Sequence, residues 1–258
     1  MGAKMKINKT TKGQITIFII LAIAIVFIGG LILYLRNKPG IFGLNEVNPE
    51  SYMDVCMVKA GQEAITLMSK QGGDVRPENY ILYKGQNVSY TCYNKNFYDT
   101  CIMQKPMFIS YETDEIRNYV SPIVERCFDS LKKEMEKRNY NVEMKDTNFS
   151  VVLEPKKVNL IAEKEIKISK NEENIQFDKF KTTLVDPIYN FAEIAQEISN
   201  QEARFCNFEY IGYMGLYPQW EISKKDIDGQ VKIYNIKEVK TGREFSFAIR
   251  SCAMPAGM

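Results

Sequence analysis

The sequence predicts an α+β protein: a single N-terminal transmembrane helix followed by an extracytoplasmic domain of mixed helices and antiparallel sheet. Three observations lead there. From Ile15 to Leu35 the chain reads ITIFIILAIAIVFIGGLILYL, with Thr16 as its one clearly polar side chain. Beyond this run, helical and strand patterns come in blocks rather than in strict βαβ alternation, which argues for segregated helices and sheet. All 6 cysteines follow the run, as expected of a chain whose larger part meets an oxidising compartment.

The opening segment, residues 1–14, is basic. Lys4, Lys6, Lys9 and Lys12 stand there without an acid, and all 32 acidic residues lie at or beyond Glu46. At 1.5 Å per residue, Ile15–Leu35 makes a helix of roughly 31 Å, matching a hydrocarbon core of about 30 Å. A cleaved secretory leader has a shorter apolar region, of about 7–15 residues, followed by small side chains. Tyr34-Leu35-Arg36-Asn37-Lys38 offers no such context. Four lysines before the run against Arg36 and Lys38 after it place the N-terminus in the cytoplasm and the rest outside. The expected order is a cytoplasmic segment over 1–14, a bilayer-spanning helix over 15–35 and a tether over 36–47. The bilayer is thus an expected partner through Ile15–Leu35, and the expected location is the cell membrane.

Lys12-Gly13-Gln14 followed by Ile15-Thr16-Ile17-Phe18 resembles the class III signal sequence of archaeal type IV pilins. The resemblance is confined to this N-terminal segment. It implies processing after Gly13, with Gln14 as the first mature residue and the hydrophobic helix retained. The sequence departs from that family at Phe18, where pilins carry a glutamate that helps to register subunits in a filament. The same opening is similar to that of single-span surface proteins from small-genome archaea.

Past the tether, Asn48-Pro49-Glu50 reads as N-cap, first-turn proline and first-turn acid, opening a helix to about Lys70. Cys56, Ala60, Ala64, Leu67 and Met68 share a face, and Gly72-Gly73 stops the helix. Tyr80 to Tyr93 alternates around Gly85, the pattern of a hairpin. Thr113-Asp114-Glu115 opens a helix to about Arg138 with a stripe of Ile116, Tyr119/Val120, Ile123, Cys127, Leu131 and Met135, kinked or split at Pro122. Strands follow at Phe149–Leu153, Val158–Ala162, Glu165–Ser169 and Ile175–Val185. Asp186-Pro187 starts a helix with Ile188, Phe191, Ala195 and Ile198 inward, ending near Phe205-Cys206. A loop then leads to a hairpin of Val231–Val239 and Glu244–Arg250 turned at Thr241-Gly242. The length divides into a helix-rich subdomain with a hairpin over 48–140 and an α+β subdomain over 141–258.

Histidine is missing from the composition, which excludes Ser-His-Asp and Cys-His nucleophile systems and every His-ligated metal site. The near-neutral part beyond the apolar run gives no nucleic-acid footprint. Six cysteines outside the membrane read as disulfides, with Cys92–Cys101 within one loop, Cys56–Cys127 between two helix faces and Cys206–Cys252 joining the last helix to the last strand. The alternative is buried free thiols, above all for Cys56 and Cys127 on apolar faces. Asn87-Val88-Ser89 and Asn148-Phe149-Ser150 are glycosylation sequons on the outer side. Ser130-Leu131-Lys132-Lys133 and Lys240-Thr241-Gly242 match the S-x-x-K and K-T-G motifs of penicillin-binding proteins in order. Ser130 falls inside a long helix, however, and Lys240-Thr241-Gly242 at a turn. Asp226-Ile227-Asp228-Gly229 is a turn, because an EF-hand register would put Lys224 where an acid is required.

The segment from Phe208 to Trp220 holds Tyr210, Tyr213, Tyr217 and the 1 tryptophan of the chain, Trp220. Aromatics among glycines either present a binding loop or fold back to cap the core. The sequence therefore points to a membrane-anchored, non-catalytic structural or recognition protein of the cell surface. It needs no cofactor, and its partners beyond the bilayer would be other membrane or surface proteins. The alternatives are a pilin-like filament subunit processed after Gly13 and, more remotely, an envelope hydrolase using Ser130 and Lys133.

Overall fold

The computed structural model describes residues 20–29, 48–96, 98–171 and 173–252. Met1–Glu46 and Val47–Met258 form separate compact units. In the first, helix α1 covers residues 20–29. Its ten residues rise about 15 Å, half a hydrocarbon core. No helix among the described residues is long and apolar enough to cross a membrane. This corrects the fold class: the described residues are α+β and hold no transmembrane helix of the kind expected over Ile15–Leu35. Hydrophobicity over a window suggested a continuous span, but apolar content does not by itself fix how long a helix is, and the described helix is about half the length a crossing needs. Gly13 and Gln14 lie outside the described residues.

The second unit is built on two sheets. In the 4-stranded sheet, β6 (Lys157–Lys170) pairs with β7 (Glu173–Val185) along one edge. On its other edge β4 (Asn141–Met144) and β5 (Asn148–Glu154) pair end to end, all antiparallel. Val158, Leu160, Ala162, Ile166 and Ile168 alternate onto the buried face of β6. Lys164 falls on that same face, which is why the sequence reads as two strands with a break. The strand runs through because the Lys164 stem lies over the Phe128 ring, with Nζ 5.1 Å from its centroid, while the ammonium donates to Thr147 Oγ1 at 2.7 Å.

The 6-stranded sheet has the order β1-β2-β10-β9-β8, with β3 paired to β2. β1 (Tyr80–Tyr83) and β2 (Gln86–Tyr93) form the expected hairpin. Lys84 and Gly85 both take positive φ, 48° and 77°, as a two-residue turn between right-twisted strands requires. β3 is Ile102–Met103. β9 (Val231–Glu238) and β10 (Glu244–Arg250) are the expected C-terminal hairpin. The sheet is not wholly antiparallel, because β10 pairs with β2 in parallel. The long connection between those strands permits this, as a short hairpin could not. β8 (Trp220–Ile227), read as loop from the sequence, is the outer partner of β9.

Helix α2 (Pro49–Lys70) begins where expected: Asn48 Oδ1 accepts from the Glu50 and Ser51 amides at 2.9 and 3.3 Å. Helix α3 (Phe108–Lys137) starts before Thr113, because its first free amide is capped from elsewhere in the fold. The Phe108 N–H donates to Gln196 Oε1 at 3.2 Å, on helix α4 (Ile188–Phe205). It also continues through Pro122 as one helix; burial of Val120, Val124 and Phe128 holds the two halves in line. Helix α5 (Tyr210–Leu216) precedes β8. α2 packs on α3, β7 and β10, while α4 packs on α3, β2 and β10. One continuous core includes Met135, Val142 and Phe149. Its centre is a chain of rings, Phe108–Phe245–Phe191–Trp220, with centroids 6.1, 5.8 and 5.5 Å apart.

All six cysteines are bonded in the expected pairs. Cys56–Cys127 joins α2 to α3 with Cα atoms 6.5 Å apart. Cys92–Cys101 closes the loop between β2 and β3, and Cys206–Cys252 ties the end of α4 to the chain after β10, at 5.4 and 5.7 Å.

Candidate functional site

The aromatic segment after α4 divides between core and surface. Trp220 is buried against Phe191, and Tyr213 is half-buried between Phe208 and Tyr217, with centroids 5.5 and 4.7 Å away. Tyr210 is half-buried under the Lys224 ammonium, 5.4 Å from its ring centroid. Glu209 caps α5 by accepting from the Ile211 and Gly212 amides at 3.2 and 3.4 Å. That cap turns Ile211 and Leu216 outward, 64 % and 77 % exposed, with Tyr217 at 45 % and Phe205 nearby in sequence at 65 %. The sequence named the tyrosines and missed these three aliphatic and aromatic neighbours. Their signal was weak, since isolated apolar residues in a loop are usually buried.

The other marked residues are scattered. Asn87 is half-buried in β2, and its sequon partner Ser89 is buried with its hydroxyl donating to Asp74. Asn148 is exposed at the start of β5, where its amide donates to Glu163 Oε2 at 3.4 Å. Ser130 faces solvent on α3, and its hydroxyl donates back to the Arg126 carbonyl at 2.8 Å. Thr241 donates to Glu238 Oε2 at 2.6 Å in the β9–β10 turn. Among the described residues, no group of Cys, Asp or Glu side chains is arranged to hold a metal ion. A groove of about 510 Å³ along α2 is lined by Lys70, Asp186, Arg243 and Glu244. Another, of about 650 Å³ along α3, is lined by Arg76, Glu78, Glu115 and Arg126. Both mix charges, so neither favours one sign of ligand.

Two buried polar clusters escaped the sequence reading. In the first, Lys232 on β9 donates to both Glu202 oxygens at 3.0 and 2.7 Å and to the Cys206 carbonyl at 2.5 Å. Tyr234 and Ser251 donate to the same carboxylate at 2.5 and 2.8 Å. Burial, reinforced by Glu202, holds the Tyr234 hydroxyl far above its ordinary value, so it stays a donor. This cluster is satisfied at every charge, and it lies against the Cys206–Cys252 bridge.

The second cluster surrounds the turn after α2. Lys105 Nζ lies 2.6 Å from Asp74 Oδ1 and donates to the Gly72 carbonyl at 2.9 Å. Ser89 and Tyr111 donate their hydroxyls to Oδ2 and Oδ1 of Asp74. The Lys105 ammonium also sits over the Tyr111 and Phe108 rings, 4.6 and 5.6 Å from their centroids. Gly73, at φ 87°, brings its backbone against Glu112: a Cβ there would lie 3.1 Å from Glu112 Oε1 and 2.8 Å from the Phe108 ring. Glu112 is fully buried, and neither of its oxygens has a hydrogen-bond partner among the described residues. It occupies the apolar stripe of α3, one turn from Phe108 and one from Ile116, which was its signal in the sequence.

Burial pushes the Glu112 carboxyl well above its ordinary range; the charge of Lys105 opposes the rise and that of Asp74 adds to it. Burial likewise lowers Lys105, against the pull of Asp74. The folded chain therefore keeps the Glu112 proton that the unfolded chain releases near about pH 4.3. Its contribution to stability is complete below that pH and is lost as pH rises toward the native value. The stability of Glu112→Gln minus that of wild type is expected to grow from about pH 4.5 to about pH 7.5. Urea denaturation at a series of pH values checks this, and a constant difference would mean that Glu112 ionises normally in the fold.

The comparisons with known proteins add no relative to this geometry: no family model, no curated protein and no solved structure matches the chain.

Proposed function

We propose that the chain works outside the cytoplasm, at the cell surface, as a disulfide-stapled structural or recognition module without catalysis. One observation carries this reading: all 6 cysteines are consumed in three bridges, each joining separate elements around the core. Such bridges form and persist in oxidising compartments and are rare where thiol reductants are abundant. The outward face of α5, with Ile211, Leu216 and Tyr217, is the surface this reading assigns to contact with another surface protein. Ser130, the nucleophile of the hydrolase alternative, spends its hydroxyl on its own helix, which weakens that alternative.

Intact cells treated with a membrane-impermeant amine reagent test the proposal. Exposed lysines such as Lys133 and Lys137 are expected to be modified before lysis, and the purified chain should lose the mass of three bridges' hydrogens relative to its reduced form. Labelling only after lysis, together with free thiols, would overturn it.

A further inference from the structure

The Asp74 cluster is costly if it is only an ion pair. A fully buried carboxyl without a partner is destabilising, and buried unsatisfied groups in folded proteins call for a reason. Here that carboxyl, Glu112, lies against Gly73, the residue before Asp74, in the same dry cluster as a lysine and an aspartate already in contact. Lys105 and Asp74 are only 7 % and 9 % exposed, and two aromatic rings flank the ammonium.

We infer that Lys105 and Asp74 condense into an intramolecular amide, with Glu112 as the group that carries the proton between them. The step needs no external reagent. Glu112, unpaired in the structure, must swing onto the pair to act; there it gives its proton to Asp74 Oδ1 and takes one from the Lys105 ammonium, leaving a neutral amine beside a neutral carboxylic acid. The Nζ lone pair attacks Asp74 Cγ and forms the C–N bond. The Cγ–Oδ1 bond breaks, and Oδ1 leaves as water with a second proton from Nζ. Ammonium plus carboxylate has become amide plus water, and Glu112 ends as it began.

The surrounding donors fit these roles. Ser89 holds Oδ2, which carries the developing negative charge, while Tyr111 and Lys105 converge on Oδ1, the oxygen that departs. Burial favours the neutral forms of both Lys105 and Glu112, the forms the step uses. In water such a condensation is slow and reversible. Fixed contact between the two groups in a site closed to water supplies an effective molarity of about 10⁵–10⁸ M. The product joins the turn after α2 to the segment just before α3.

The test is the mass of the full chain after reduction and alkylation of its disulfides, followed by peptide mapping. The expected result is a chain lighter by one water, with a branched peptide joining the segments that carry Asp74 and Lys105. Lys105→Arg and Asp74→Ala should regain the full mass. Glu112→Gln, a neutral replacement of the same shape, should also regain it while keeping the wild-type circular dichroism and a cooperative melt, which separates loss of the bond from loss of the fold. A wild-type chain of full mass would overturn the inference. A branched peptide that persists in Glu112→Gln would overturn the role given to Glu112.

Discussion

Lys232→Met is expected to cost about 3–5 kcal/mol, because it leaves Glu202 as a buried charge without its counter-ion. Glu202 is fully buried and Lys232 only 8 % exposed, so water cannot replace the lost partner. The Tyr234 and Ser251 hydroxyls would still donate to the carboxylate, but hydroxyl donors do not neutralise it. The Cys206 carbonyl would lose the ammonium that now donates to it. Glu202→Leu alone strands the ammonium instead. The double variant removes both charges and should lose clearly less than the sum of the singles, since the largest penalty in each single is the stranded partner. Tyr234, Ser251 and the Cys206 carbonyl would then each lack a partner, so the double variant should not recover wild-type stability. Urea unfolding with the disulfides intact measures all three. Additive losses would mean that water reaches this site and that the pair is not isolated.

Why such clusters stayed hidden in the sequence follows from what a sequence can express. Local signals were legible where one element supplies both the pattern and its stop. Asn48-Pro49-Glu50 set the start of α2, Gly85 within an alternating run set the first hairpin, and Asp186-Pro187 set the start of α4. The cysteine pairs agree with the reading that put one bridge within a loop, one between two helix faces and one from the last helix to the last strand, though the spacing itself left other pairings and free thiols open. The start of α3 was not legible, since Gln196 caps it from 88 residues away. Neither was the parallel register of β2 and β10, which depends on everything folded between them. Lys164 misled, and the roles of Lys232 and Glu112 went unmarked, for one shared reason. A charged residue at a buried position looks like a break or a solvent-facing step until its tertiary partner is known. The apolar run near the N-terminus misled the other way, because hydrophobicity measured over a window does not set helix length, and the described helix there covers only residues 20–29. As for the candidate surface, the tyrosines were visible as a composition signal, but only the placement of α5 separated Trp220 and Tyr213, which pack inward, from Leu216 and Tyr217, which do not.

Removing Cys56–Cys127 by paired alanine substitution is expected to cost about 4 kcal/mol, against about 3 kcal/mol for Cys92–Cys101. The difference follows from loop length: the bonded residues are 71 apart in the first pair and 9 apart in the second. Cross-linking distant residues removes more freedom from the unfolded chain, though only as the logarithm of the loop. The short bridge lies inside the long loop and shortens it slightly, a correction too small to reverse the order. Packing pulls against this ranking. Cys92 and Cys101 are buried, so their loss also leaves a cavity, whereas Cys56 and Cys127 are only half-buried between α2 and α3. Urea denaturation of the two double-alanine variants therefore decides which term governs. A larger loss for Cys56–Cys127 means that the bridges act mainly on the unfolded chain. A larger loss for Cys92–Cys101 would mean that the short bridge serves the core of the β2–β3 corner instead. The amide proposed between Lys105 and Asp74 sharpens the contrast. It would shortcut the 56–127 loop across a further stretch of chain, so the cost of losing Cys56–Cys127 should rise when Lys105→Arg is present. An unchanged cost would argue that this shortcut does not exist.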